Sequence, residues 1–185
     1  TVPELRRMGT TLTAVAISAG VMHAAHIGDC RLYLVRQGKI RQMTKDHTVV
    51  QERVRLGMMS AARAKTHPER SALSRCLGQE LIVAIDRITL ALARGDRIVV
   101  CSDGFYNVVE EREIAQLSDG ADLAAACRRM LDVANERGTA DNLTVAVCAI
   151  GEGAESTNGG WRDRMSRLLR RNLGRLPDKN LFFRP

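Results

Sequence analysis

With 185 residues, 45% of them hydrophobic and 26% charged, the chain has the size and composition of one soluble globular domain with a substantial buried core. Aromatic residues make up only 3%, so Val, Ile, Leu, Ala and Met must build that core, and a base-stacking surface for nucleic acid is excluded. The net charge of +7 is uneven: residues 1–150 hold 20 basic against 17 acidic side chains, and residues 151–185 hold 8 against 4. No apolar run is long enough to span a bilayer, and no secretory-type segment opens the sequence. The five cysteines are scattered and form no CxxC pair, which argues against a zinc site and leads us to expect reduced thiols in a cytoplasmic protein. The chain starts at Thr1 rather than at a methionine, so we expect further residues upstream.

In chain order, residues 11–18 (TLTAVAIS) and 21–27 (VMHAAHI) read as strands joined by a tight turn at Ala19-Gly20. Gly28-Asp29 interrupts, and Cys30–Arg36 and Lys39–Met43 follow as two more strands of one antiparallel meander. Thr48 is placed to cap a helix from Val49 to Leu56, with Gln51 at the matching capping-box position. Met58–Glu69 shows no period and reads as irregular. Strands are expected again at Ser71–Arg75, Ile82–Leu92 and Arg97–Cys101, then helices at Glu110–Leu117 and Ala121–Glu136. In the second helix Leu123, Cys127, Met130, Leu131 and Ala134 form an apolar stripe. A final strand spans Leu143–Ile150. Strands first, then helices, then a strand predict an α+β layered domain, and the absence of GxGxxG and GxxxxGK[ST] argues against dinucleotide and P-loop binding.

Three aspartates stand at the ends of apolar strands: Asp29 in HIGD, Asp103 in IVVCSDG and Asp141 in ADNLTVA. Such carboxylates sit on rigid backbone and reach outward, which suits a hard cation such as magnesium or manganese. Asp-Gly and Asp-Asn are equally good turn formers, so residue types alone leave both readings open.

Six segments in series narrow the choice: Gly9–Ala14 (GTTLTA), His26–Arg31 (HIGDCR), Met43–His47 (MTKDH), Ser74–Gly78 (SRCLG), Gly95–Gly104 (GDRIVVCSDG) and Ala140–Val145 (ADNLTV). From Met8 to Ile150 the chain resembles the metal-dependent serine/threonine phosphatases of the type 2C family, its bacterial members in particular. Cys30 stands where that family usually has serine. The resemblance implies an α-β-β-α sandwich of two antiparallel sheets flanked by helices, here incomplete at its N-terminal side. It implies Mn2+ or Mg2+, two ions catalytic and a third looser, with a metal-bridged hydroxide attacking phosphoserine or phosphothreonine. Asp103 and Asp141 are then ligands of the second catalytic ion and Asp29 the ligand of the third. Gly104 and Asn142 are neighbours of that site, and residues 48–68 are a mobile flap. The family's upstream Asp-Gly motif, early Glu-Asp element and phosphate-gripping Arg have no counterpart in this sequence, so this chain alone is expected to be inactive. Arg6 and Arg7 read as solvated charges, and none of the four histidines is assigned as a ligand.

Residues 151–160 (GEGAESTNGG) read as a flexible linker, and residues 161–185 as a basic tail that opens with an amphipathic helix and could touch a membrane surface. The expected partners are phosphorylated proteins, substrates of a cognate Ser/Thr kinase, and no nucleic acid. The rival reading is a degenerate, non-catalytic phosphoprotein-binding or regulatory module.

Overall fold

The computed structural model describes residues 8–151, so the expected linker and basic tail lie outside the described residues apart from Gly151. Seven strands and five helices follow in the order β1 (Leu12–Ser18), β2 (Val21–Ile27), β3 (Arg31–Arg36), β4 (Lys39–Gln42), α1 (Val49–Arg55), α2 (Ala61–Thr66), β5 (Asp86–Ala91), β6 (Arg97–Cys101), α3 (Asp103–Tyr106), α4 (Glu111–Leu117), α5 (Leu123–Glu136) and β7 (Val145–Ala149). The strands form two antiparallel sheets, β1-β2-β5 and β4-β3-β6-β7. This is the expected pair of antiparallel sheets with helices alongside.

The expected meander is corrected at one point: β2 and β3 do not pair. Each hairpin, β1-β2 and β3-β4, belongs to a different sheet. Gly28, at φ +106°, redirects the chain between them, and a Cβ there would collide with the Thr11 side chain.

β3 is the strand around which the layers assemble. Leu32 and Leu34 face the other sheet and pack with Met22, Ala24 and Ile98. Tyr33 and Val35 face the opposite way, into a second core with Val99, Cys101, Phe105, Ile114, Met130 and Ala134. A strand buried on both faces reads as a nearly continuous apolar run, which RLYLVR is. α4 packs on β4 and α5 on β7, giving the helical layer on the outer side of the four-stranded sheet. α5 buries Ala126, Met130 and Ala134. Of the five stripe positions expected, Met130 and Ala134 are thus buried while Leu123, Cys127 and Leu131 are half-buried. At the far end of the sandwich, buried Asp96 binds Arg36 through paired contacts of 2.6 and 2.7 Å and accepts from Ala93 N at 2.7 Å. That cluster pins the step from β5 to β6, where the chain again changes sheets.

Three further expectations are corrected. Residues 58–69 contain helix α2, with Ser60 Oγ accepting from Arg63 N at 3.3 Å. Its alanines favour helix without leaving an apolar stripe, since only Ala64 is buried. Ser71–Arg75 is not a strand: it makes one bridge, Leu73 to Thr48, because its partner turns into α1 at that point. The strand expected at Ile82–Leu92 starts only at Asp86, opposite His26. β2 ends one residue later, so Ile82–Ile85 has no strand beside it, and Leu81 and Ile82 are fully exposed. All five cysteines are free.

Phe105 is completely buried where α3 meets both β6 and α5. Phe105→Ala is expected to lower the unfolding free energy of the complete protein by about 3–5 kcal/mol in urea titrations. A loss below about 1 kcal/mol would show that this cluster does not hold the helical layer on the sheet.

Candidate active site

Strand register brings the three aspartates to one end of the sandwich. Arg31 pairs with Cys101, and Cys101 pairs with Val145, all antiparallel. Asp29 lies just before β3, Asp103 just after β6, and Asp141 shortly before β7, so all three project from the same edge of the four-stranded sheet.

Ser102 and Gly104 join two of these segments. Ser102 N donates to Thr144 O at 3.1 Å, and Thr144 N donates to Ser102 Oγ at 2.9 Å. Thr139 Oγ1 donates to Gly104 O at 2.7 Å. Gly104 lies so close to the next loop that a Cβ would stand 2.5 Å from Asn142 O and 3.3 Å from Asp141 Cβ. The Asp103 and Asp141 backbones are therefore held side by side. Asp103 Oδ1 accepts from Gly104 N at 2.9 Å, and Asp141 Oδ1 accepts from Asn142 N at 2.7 Å. In each carboxylate Oδ2 has no hydrogen bond among the described residues. Asn142 thus orients Asp141 through its backbone N–H.

Asp29 is half-buried, and its carboxyl is pushed up to about 6, first by burial and then by the negative charge of Asp103. Carboxylate oxygens are the donor type that suits a hard cation such as magnesium or manganese. The set is partial: among the described residues no three His, Cys, Asp or Glu side chains converge closely enough to hold an ion.

Sequence reasoning missed the frame around these carboxylates. Arg31 binds Asp46 in a bidentate pair, with Nη2 to Oδ2 at 2.7 Å, and lies 3.7 Å over the Tyr106 ring. Tyr106 OH donates to Asp29 O at 3.0 Å. Gln42 Nε2 donates to Asp46 Oδ1 at 3.0 Å. Arg31 and Asp46 both fall within the motifs HIGDCR and MTKDH, so a signal was present, but Tyr106 had none.

His26 and His47 lie side by side, fully buried, with ring centroids 4.8 Å apart. His26 Nε2 donates to Lys45 O at 3.1 Å, which leaves Nδ1 to accept from Thr13 Oγ1 at 2.8 Å. His47 Nδ1 accepts from Gly28 N at 3.1 Å, so its proton is on Nε2. That atom lies 3.3 Å from Asp86 Oδ2, within ion-pair range but outside hydrogen-bond geometry. These contacts tie both rings into the interior.

Residues 2–148 match the protein phosphatase 2C family profile. The chain belongs to the protein phosphatase 2C family. It is 38% identical over 150 residues to the serine/threonine protein phosphatase PstP of Mycobacterium tuberculosis, covering 80% of this chain and 29% of that protein. It is 37% identical over 145 residues to a putative protein phosphatase 2C-type of Streptococcus pyogenes, covering 78% and 59%. The solved structure of M. tuberculosis PstP superposes with a TM-score of 0.77 at 35% identity, over 82% of this chain and 64% of that one. A PstP catalytic domain in complex with two manganese ions gives 0.73 at 32% identity, over 82% and 63%. The chain therefore spans less than two thirds of the length of these 2C relatives.

Two predictions follow from this geometry. Gly104→Ala must separate the Ser102–Gly104 and Asp141–Asn142 segments, so the complete protein should lose about 1–3 kcal/mol of unfolding free energy in urea titrations, the order expected when a close contact is overfilled. Unchanged stability would show that the close approach is not needed. Burial first, and then the electrostatic coupling to His47 beside it, holds His26 below its ordinary value of 6.5. The unfolded chain then takes up a proton near that pH before the folded one, so the stability from neutral His26 is complete above it and is lost as pH falls. The urea midpoint of the complete protein should exceed that of His26→Gln by a margin that narrows between pH 7.5 and pH 5. A constant margin defeats the assignment. Asp29 works in the opposite sense in both proteins and cancels in the comparison.

Proposed function

We propose that the protein containing this chain is a divalent-metal-dependent phosphatase acting on phosphoserine and phosphothreonine in proteins. The observation that carries this reading is the placement of the Asp29, Asp103 and Asp141 segments at one end of the sandwich, within a family whose relatives are named serine/threonine phosphatases. Asp103 and Asp141 would hold one catalytic ion through their free oxygens, and Asp29 would hold a further, looser one. The manganese ions in a PstP catalytic domain support Mn2+, with Mg2+ the alternative. Such ions supply positive charge against the phosphate and make water a stronger nucleophile at neutral pH.

This chain's own residues do the positioning. Gly104 and Ser102 hold Asp103 against the Asp141 loop, the Asn142 N–H turns Asp141, and the Tyr106 hydroxyl fixes the backbone at Asp29. Thr48–Pro68, which holds α1 and α2, would serve as the flap of that site. Because no three ligating side chains converge among the described residues, catalysis belongs to the longer protein and this chain alone is expected to be inert. The substrates are phosphorylated proteins, those of a cognate Ser/Thr kinase, encountered in the cytoplasm. Contact of residues 161–185 with a membrane surface is part of this proposal.

The test is hydrolysis of p-nitrophenyl phosphate and a phosphothreonine peptide, with and without manganese, by this chain, the complete protein, and its Asp103→Asn and Asp141→Asn variants. Only the complete, metal-loaded protein should be active, and each substitution should cost at least about a hundredfold, a few kcal/mol of lost charge stabilisation. Full activity in Asp103→Asn with ordinary manganese dependence sinks the ligand assignment. A folded complete protein that hydrolyses neither substrate points instead to the non-catalytic phosphoprotein-binding module.

A further inference from the structure

We infer that His47 is a positioning residue that couples the base of the flap to the Gly28–Asp29 turn, with Asp86 and Arg75 setting its imidazole. The inference rests on the phosphatase reading only in treating the Asp29 turn as part of an active site.

His47 meets two separate segments. Toward the turn it makes a double hook: its backbone N donates to Gly28 O at 2.8 Å, and its Nδ1 accepts from Gly28 N at 3.1 Å. Toward the flap, its backbone O accepts from Ser74 N at 2.8 Å, while the next residue but one, Val49, donates to Ala72 O at 2.8 Å. Those two bonds close the excursion that contains α1 and α2, so His47 is the hinge post on which the flap starts and to which it returns.

The imidazole can accept from Gly28 N only while its proton is on Nε2, the atom that faces the Asp86 carboxylate at 3.3 Å. Arg75, at the flap's exit, holds that carboxylate through a 3.1 Å contact to Oδ1 and also donates to Ala84 O at 3.2 Å. The order of contacts runs from the flap exit through Arg75, Asp86 and His47 to Gly28, and then along the chain to Asp29. Gly28 sits at φ +106°, where Thr11 leaves no room for a Cβ, so the turn is sterically confined on that side. If the exit of the flap shifts and Asp86 moves with it, the tautomer that fixes the Gly28 turn is no longer favoured. Flap position and the aim of Asp29 are thereby linked through this run of contacts.

The experiment is amide hydrogen exchange on the complete protein, without metal or substrate, read at Gly28, Val49 and Ser74, with Val99 in the core as reference. Asp86→Asn bonds to none of these three amides, yet it should speed exchange at Gly28 roughly tenfold, the effect of weakening one buried hydrogen bond. His47→Gln, which cannot place an acceptor at Gly28 N, should speed exchange at Gly28, Val49 and Ser74 together. His47→Asn keeps an acceptor in the place of Nδ1 and should restore protection at Gly28 alone. The inference is overturned if Asp86→Asn leaves Gly28 unchanged, or if Val99 accelerates as much as Gly28, which would mean general destabilisation. An enzyme without phosphatase activity but with this exchange pattern would remove the functional reading and leave the coupling standing.

Discussion

At Gly28 the chain must leave one sheet and enter the other within three residues, and Thr11 leaves no room there for a side chain. Most of what is distinctive about this end of the molecule depends on that steric constraint. It ends β2, starts β3 and leaves Asp29 on a corner rather than in a ladder. It also forces the Gly28 backbone to find partners outside either sheet, and His47 provides both of them. A buried peptide group without partners is costly, so the corner and the residue that satisfies it must be formed together.

The acidic end is assembled by backbone and held together by surrounding pairs. Burial first, and then the charge of Asp103, raises the carboxyl of Asp29, and the charge of Arg31 offsets this only in part. The nearest strong cation, Arg31, is committed to Asp46 and stacked on Tyr106. Arg31 thus belongs to the frame and makes no ion pair with Asp29 or Asp103. Rigidity comes from the close backbone approach of Gly104 to Asn142 and from the Ser102–Thr144 exchange, one bond of which is backbone to backbone and the other to the Ser102 hydroxyl.

β3 links this end to the rest of the fold. Its alternate residues enter two cores, so neither the sheet-sheet layer nor the sheet-helix layer can form without it. Burial of apolar area on both faces lets it contribute to the hydrophobic driving force of both cores. The charged corner is carried directly on its first turn, and the Arg36–Asp96 pair closes its other end.

Seven strands and the three clearest helices were legible as segments, because period-two alternation and the α5 stripe are local properties of residue order. The motifs also singled out Asp29, Asp103 and Asp141 as candidates. What the order of residues could not show was the pairing. β1 to β4 read as one meander, and only the collision at Gly28 separates them into two sheets. α2 went unseen because a helix held by alanine propensity and a Ser60 cap leaves no stripe, and the single turn of α3 is too short to leave any period. The convergence of the three aspartates depends on antiparallel register between strands far apart in sequence, and the His47 link depends on which ring nitrogen meets Gly28. Residue order determined the local conformations and the chemistry on offer; the tertiary structure decided which groups share a site, because contacts between distant segments are set by packing and register rather than by neighbours in the chain.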